Sequence, residues 1–394
     1  MRTVVLAPTN VVSFPEGGGH FWVYMQYVQG LRSLGCDVYW LERFTRSADA
    51  ARDASNRATF LARMQRFGLR DNVVLYSEDG GRISGEQGRL ARLAARADLL
   101  LNFDYGLQPE LLARFRRTAL VDIDPGLLQH WMNSGQLNVA AHDVYFTTGE
   151  TVGAPDAKVP DCGLKWAFIR PAVALDLWPQ VETVRNAPFT TVSSWIGGVD
   201  GEWVTDPDGA FYDNNKRVSF LEYIELPRRT DAALELALCL DESPQSEASA
   251  RKNAYGSYAG DAVDHQLLLQ HGWRVRHARE VAASPESYRA YLQGSRGEFS
   301  CAKPSCMRFR NAWISDRTLC YLASGRPAVV QNTGPSSYLP NGTGLFRFSS
   351  MEEAVAALDA IARNEMAHAQ AARDIATEYF DARRVARTIL ETAL

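Results

Sequence analysis

EFSCAKPSCMRFRNAWISDRTLCYLASGRPAVVQNTG, residues 298–334, is the stretch around which the rest of the chain can be ordered. Glu298-Phe299-Ser300-Cys301 reads as a short strand, Ser315 to Ser324 has helical spacing and stops at Gly325, and Ala328-Val329-Val330 is a second apolar run. A strand, a helix and a strand in that order form the βαβ unit of a parallel sheet. Upstream, Ser284-Pro285-Glu286 opens another helix reaching Leu292, with serine capping free amides and proline at the position that loses no bond. Downstream, Ser350-Met351-Glu352-Glu353 is a capping box before a helix over Met351 to Ile361, and Glu365 to Leu394 is rich in helix formers.

The other end of the chain repeats the pattern. Thr3 to Ala7 is apolar, Phe14-Pro15-Glu16-Gly17-Gly18-Gly19 reads as a loop, and helical spacing runs from Phe21 to Leu34 before Gly35. Asp37-Val38-Tyr39-Trp40-Leu41 is a second strand, and further strands are expected at Val73 to Tyr76, Asp98 to Phe103, Leu120 to Ile123 and Val144 to Thr147. Pro160 to Pro179 has no sustained period and is expected to be an interdomain linker. Thr190 to Trp195 then begins a second series. It continues with a polar loop from Gly197 to Lys216, a helix over Arg217 to Tyr223, and a strand over Leu234 to Leu240. The expected fold class is α/β, with Rossmann-like domains over 1–175 and 185–370.

Length agrees: 394 residues suit two domains at about 150 residues each. Hydrophobic residues at 46% and charged residues at 22% are those of a folded globular chain. A net charge of -4 speaks against a general nucleic-acid binder, which needs surplus Lys and Arg, so nucleic acid is not expected as a partner. No run of about 18 apolar residues and no signal-peptide pattern is present, so a cytoplasmic protein without stable membrane insertion is expected. The six cysteines lack the C-x2-C pairs that hold zinc; they read as reduced thiols, and no metal or resident cofactor is expected.

Residues 298–334 resemble the donor segment of GT-B glycosyltransferases, in which a strand, a loop, a helix start and an A-x-G-x-P-V-V turn cradle a sugar nucleotide. Ala323-Ser324-Gly325-Arg326-Pro327-Ala328-Val329-Val330 matches that turn, with alanine at the first valine. The resemblance implies two domains facing across a cleft and a C-terminal helix over 371–394 crossing back to the first domain. It also implies a UDP- or TDP-type sugar as co-substrate. The helix starting at Ser315 offers unpaired amides to a diphosphate, Ser315, Asp316 and Thr318 lie at its start, and Arg317 and Lys303 are candidates to neutralise the leaving group. Asn332-Thr333-Gly334 is implied to contact the sugar, and Ser193-Ser194 the diphosphate. Many retaining members carry a glutamate where this chain has Cys320.

In the first domain, the resemblance implies that Gly18 and Gly19 face the donor and that His20 is the general base, an imidazole able to take the acceptor proton near neutral pH; otherwise His20 caps the helix or orders the loop. Asp122-Ile123-Asp124 resembles the D-x-D of metal-dependent GT-A enzymes but ends a strand of a first domain. Asp124 is therefore expected to orient His20, bind acceptor or cap a turn, and Asp104 and Glu150 occupy comparable strand ends as alternative bases. The expected activity is metal-independent transfer of a sugar, with inversion, to a hydroxyl or amine of a small acceptor by a monomer or homodimer. The alternatives are a sugar-nucleotide epimerase and a silent sugar-nucleotide binding subunit.

Overall fold

A computed structural model describes residues 1–394 except 80–81, 86, 185, 198–201, 207, 241–251, 254–255 and 258–260. The chain divides into two units, Met1–Ala174 with Phe380–Leu394, and Leu175–Tyr379. Each is an open parallel sheet covered by helices.

In the first unit eight strands lie in the order Arg82–Gly85, Val73–Asp79, Asp37–Arg43, Thr3–Ala7, Leu99–Asn102, Thr118–Asp122, Val144–Thr147 and Trp166–Phe168. All pair in parallel except Arg82–Gly85, which runs antiparallel to Val73–Asp79. The central strands are apolar because helices cover both faces of a parallel sheet; Leu99–Asn102 and Thr118–Asp122 are buried at every residue. Val5, Leu41, Val74 and Leu100 form a core with Leu90, Leu93 and Leu111. The last strand, Trp166–Phe168, falls inside the expected linker. Three residues flanked by prolines carry no readable period; the passage between units, after Ala174, also falls within 160–179.

The second sheet has six parallel strands in the order Arg274–His277, Leu234–Cys239, Phe189–Ser194, Gly297–Ser300, Ala328–Gln331 and Leu345–Phe348. Phe189, Leu236, Phe299, Val329 and Phe348 pack with Trp195, Phe220 and Leu358 as its core. The stretch expected as a polar loop contains an antiparallel hairpin, Trp203–Thr205 with Phe211–Asp213, whose Trp203 and Phe211 rings stack at 5.1 Å. Residues 198–201 and 207 of that stretch lie outside the described ones.

Residues 371–379, expected to begin the crossing segment, belong to the helix Glu365–Tyr379 of the second unit. Phe380–Leu394 returns to the first unit. Val173 N donates to Phe380 O at 2.8 Å and Ala382 N to Val173 O at 2.9 Å, and helix Ala382–Ala393 then lies along helix Gly18–Ser33. Gly30 makes that contact possible: a Cβ there would stand 2.3 Å from the Ala382 carbonyl oxygen. Among the described residues, no helix is long and apolar enough to cross a membrane.

Candidate functional site

In the second sheet, strands Phe189–Ser194 and Gly297–Ser300 pair only at Gly297 with Phe189 and Glu298 with Thr190. Beyond that, each keeps to its other neighbour, Leu234–Cys239 or Ala328–Gln331. The strand order reverses here, and open parallel sheets bind ligands in the crevice beyond such a reversal.

Arg317 spans the floor of this crevice. Its Nε donates to Glu298 Oε1 at 2.8 Å, Nη1 to the Val192 carbonyl at 3.0 Å and Nη2 to Ser300 Oγ at 2.6 Å. The expectation that this guanidinium meets the leaving diphosphate is corrected: it is turned down into the sheet and only 7% of the residue is exposed. The physical reason is Glu298, 0% exposed, whose buried carboxylate requires a cation.

The remaining predicted donor residues fall into two groups. Ser315 caps helix Asp316–Ala323, its Oγ accepting from Arg317 N at 3.3 Å, and Asp316 is half-buried in the first turn. Ser315, Thr318 and Thr333 line a shallow open pocket of about 20 Å³. Asn332, Thr333 and Gly334 are engaged with their surroundings. Asn332 Oδ1 accepts from Arg347 at 2.8 Å, Thr333 Oγ1 donates to the Trp313 carbonyl at 2.6 Å, and a Cβ on Gly334 (φ 132°) would lie 2.5 Å from the Arg310 carbonyl oxygen. The loop they hold has left-handed backbone at Arg310 and Ala312, strain of the kind that gathers at functional sites. At the crevice rim, Ser193 Oγ donates to the Ser194 carbonyl and Ser194 is exposed. Lys303 Nζ donates to Glu202 Oε2 at 2.6 Å, both side chains being partly exposed.

Sequence reasoning missed Lys216, which opens helix Lys216–Glu222. It is 9% exposed and has no ion-pair partner among the described residues. The nearby carboxylates are occupied: Glu298 by Arg317, Glu202 by Lys303, and Asp264 by Arg217 and the Trp195 indole. Burial, then the charges of Arg317 and Lys303, push the Lys216 amine down to about 7, against the pull of Cys306 and Glu298. The only signal in sequence was a lysine ending a polar run ahead of a helix.

In the first sheet the order reverses between Thr3–Ala7 and Leu99–Asn102. The helix begins at Gly18, so Gly18 and Gly19, read as loop, form its first turn. Gly17 precedes it, with the Phe14 ring packed where a Cβ would stand. His20 Nε2 lies 2.7 Å from the Thr9 carbonyl. A carbonyl only accepts, so Nε2 carries a proton here.

The loop after the first strand is held from several sides. Val11 and Val12 amides donate to Glu42 Oε1 at 2.6 and 2.8 Å, Asn56 donates to the Ser13 carbonyl, and Arg63 to that of Pro15. Glu42, also missed in the sequence, is pushed up to about 7 by burial. Beside this loop lies a cavity of about 230 Å³ bounded by Pro8, Thr9, Asn10, Ser13, Arg43, Thr45 and Asp104.

The D-x-D pair separates. Asp122 is buried and pushed up to about 7 by burial; its oxygens accept from Tyr105, the Asp124 amide, Gln129 and Thr147. Asp124 is exposed. Burial first, then the carboxylates of Glu42, Asp124 and Asp104, raises the Tyr24 phenol, so these groups share one neighbourhood at the strand ends. Glu150 follows strand Val144–Thr147 and is half-buried.

No protein-family model and no curated protein sequence matches the chain. Solved structures do match its fold. An alpha-glucosyltransferase in complex with UDP and a 13-mer DNA is 11% identical, with a TM-score of 0.58 over 100% of this chain and 99% of that one. HepE of Anabaena in complex with UDP and glucose is 12% identical, with a TM-score of 0.55 over 100% and 99%. Sucrose-phosphate synthase from Thermosynechococcus elongatus is 12% identical, with a TM-score of 0.56 over 100% and 98%. The fold is therefore that of GT-B glycosyltransferases. One expectation is corrected: nucleic acid cannot be set aside as a partner on charge alone, because a structure of this fold carries DNA beside UDP.

Proposed function

We propose that the protein is a glycosyltransferase whose second unit holds a UDP- or TDP-sugar and whose first unit holds the acceptor and supplies the base. The observation that carries this reading is Lys216, a buried lysine without a carboxylate of its own, beside Arg317, Lys303 and Glu298. A buried cation in that position gains most from an anion that brings several charges at once. The presence of UDP in solved structures of this fold supports a nucleoside diphosphate as that anion.

In the proposed reaction the acceptor O–H gives its proton to His20 Nδ1, and Asp124 stabilises the resulting imidazolium. The acceptor oxygen attacks the anomeric carbon with inversion. The bond from that carbon to the diphosphate oxygen breaks, and its electron pair leaves with the diphosphate. Lys216 and Lys303 offset the charge that grows there, Glu202 yielding Lys303 to the phosphate. Arg317 acts from beneath by holding the two strands in place.

Calorimetry with UDP-glucose and dTDP-glucose tests the reading. Lys216→Met is expected to weaken binding at least tenfold, and His20→Ala to lower kcat on the order of 100-fold with donor affinity kept. Unchanged affinity in Lys216→Met would remove the diphosphate from this place, and near-normal turnover in His20→Ala would remove the base.

A further inference from the structure

We infer that the polar cavity at the order reversal of the first sheet is the acceptor pocket, and that the group it receives is hydroxyl-rich and carbohydrate-like. This rests on the transferase reading above and names the substrate class that the reading leaves open.

Position is the first argument. The cavity is built from the segments that follow strands Thr3–Ala7, Asp37–Arg43 and Leu99–Asn102, the carboxyl ends on either side of the reversal. Thr9, one of its walls, offers the carbonyl to which His20 donates, so the candidate base is anchored to the pocket wall.

The lining is the second argument. Thr9, Ser13 and Thr45 present hydroxyls, Asn10 an amide, Arg43 donors only and Asp104 an acceptor. Arg43 Nη2 stands 3.4 Å from Asp104 Oδ2, with the Asp104 side chain 8% exposed. An apolar group placed over this pair would strip its water and return no hydrogen bonds. A phosphate would meet an arginine already countered by a carboxylate. A sugar hydroxyl both donates and accepts, so neighbouring hydroxyls on one ring satisfy Asp104 and Arg43 together. At about 230 Å³ the cavity lies below the range of roughly 300–1,000 Å³ usual for drug-sized ligands, which suits one compact group.

The third argument is preorganisation. Glu42 fixes the Val11 and Val12 amides, Asn56 and Arg63 fix the carbonyls of Ser13 and Pro15, and Asn10 is held at φ 57°. A loop tied at this many points meets its ligand with little ordering cost.

Saturation-transfer NMR on the full chain with UDP present tests the inference, with methyl α-D-glucopyranoside, maltose and 4-methylumbelliferone as probes. Saturation of the two sugars is expected, reduced at least threefold in Asp104→Asn and in Thr45→Val, with UDP affinity unchanged in both variants. Thr45 is exposed, so its variant carries the test if Asp104→Asn does not fold. UDP binding is read separately by calorimetry, and its absence would sink the transferase reading itself. UDP binding with no sugar saturation, saturation of 4-methylumbelliferone alone, or glucose transfer from UDP-glucose to duplex DNA without sugar saturation would each overturn this inference while leaving that reading in place.

Discussion

A lysine withdrawn from water without a carboxylate partner holds its proton loosely, and a bound diphosphate restores the grip. For Lys216, with its amine near 7 in the free protein, donor binding above that pH must bring a proton along. The sign follows: affinity for UDP-glucose is flat below about pH 7 and weakens above it, by up to about tenfold per pH unit. Calorimetry in buffers of different ionisation enthalpy reads the proton directly. Lys216→Arg, whose charge is fixed, is expected to bind with no proton uptake; uptake persisting in that variant would place the titrating group elsewhere. Arg317 allows a second test at this scale. Arg317→Met leaves Glu298 charged, buried and alone, and is expected to cost about 3–5 kcal/mol in denaturant unfolding. Adding Glu298→Gln should recover part of that loss, and a double variant less stable than the single one would refute the pairing of Arg317 with Glu298. Both residues show what a sequence withholds. Arg317 stands where a helix start could offer it to a ligand, and only the neighbouring strand reveals the carboxylate that claims it. Lys216 looks like any charge at the edge of a polar run, because burial belongs to the tertiary structure.

At the scale of elements, helix Gly18–Ser33 depends on a residue with no side chain. Gly30→Ala places a Cβ against the Ala382 backbone and is expected to cost about 1–3 kcal/mol, releasing helix Ala382–Ala393 to proteases that cut near the C-terminus. Unchanged proteolysis would mean the two helices can part without loss. The same helix shows where local reading ends. Glycine has low helix propensity, so Gly18 and Gly19 read as loop, yet packing starts the helix there. Strands Thr3–Ala7 and Val144–Thr147 were readable to the residue, because apolar runs between polar turns leave one interpretation. Trp166–Phe168 and the hairpin Trp203–Thr205 with Phe211–Asp213 were not, since three residues cannot establish a period of two.

At the scale of the molecule, the order of elements along the chain carried the α/β assignment, whereas the pocket of the first unit draws on three separate segments that no local window contains. The first unit is also discontinuous. Ala382, Val385, Ala386, Ile389, Leu390 and Ala393 are buried there, with about 1.5–3 kcal/mol at stake for each of the larger ones. Deleting residues 380–394 is expected to lower the melting of the first unit by several degrees and leave the second where it was, as hydrogen exchange followed by unit would show. Equal loss in both would mean that the C-terminal segment supports more than the unit it joins. A ribosome makes this chain from residue 1 onward, so the groove along helix Gly18–Ser33 stays bare while the whole of Leu175–Tyr379 is synthesised. The half that emerges first is thus the last able to finish folding.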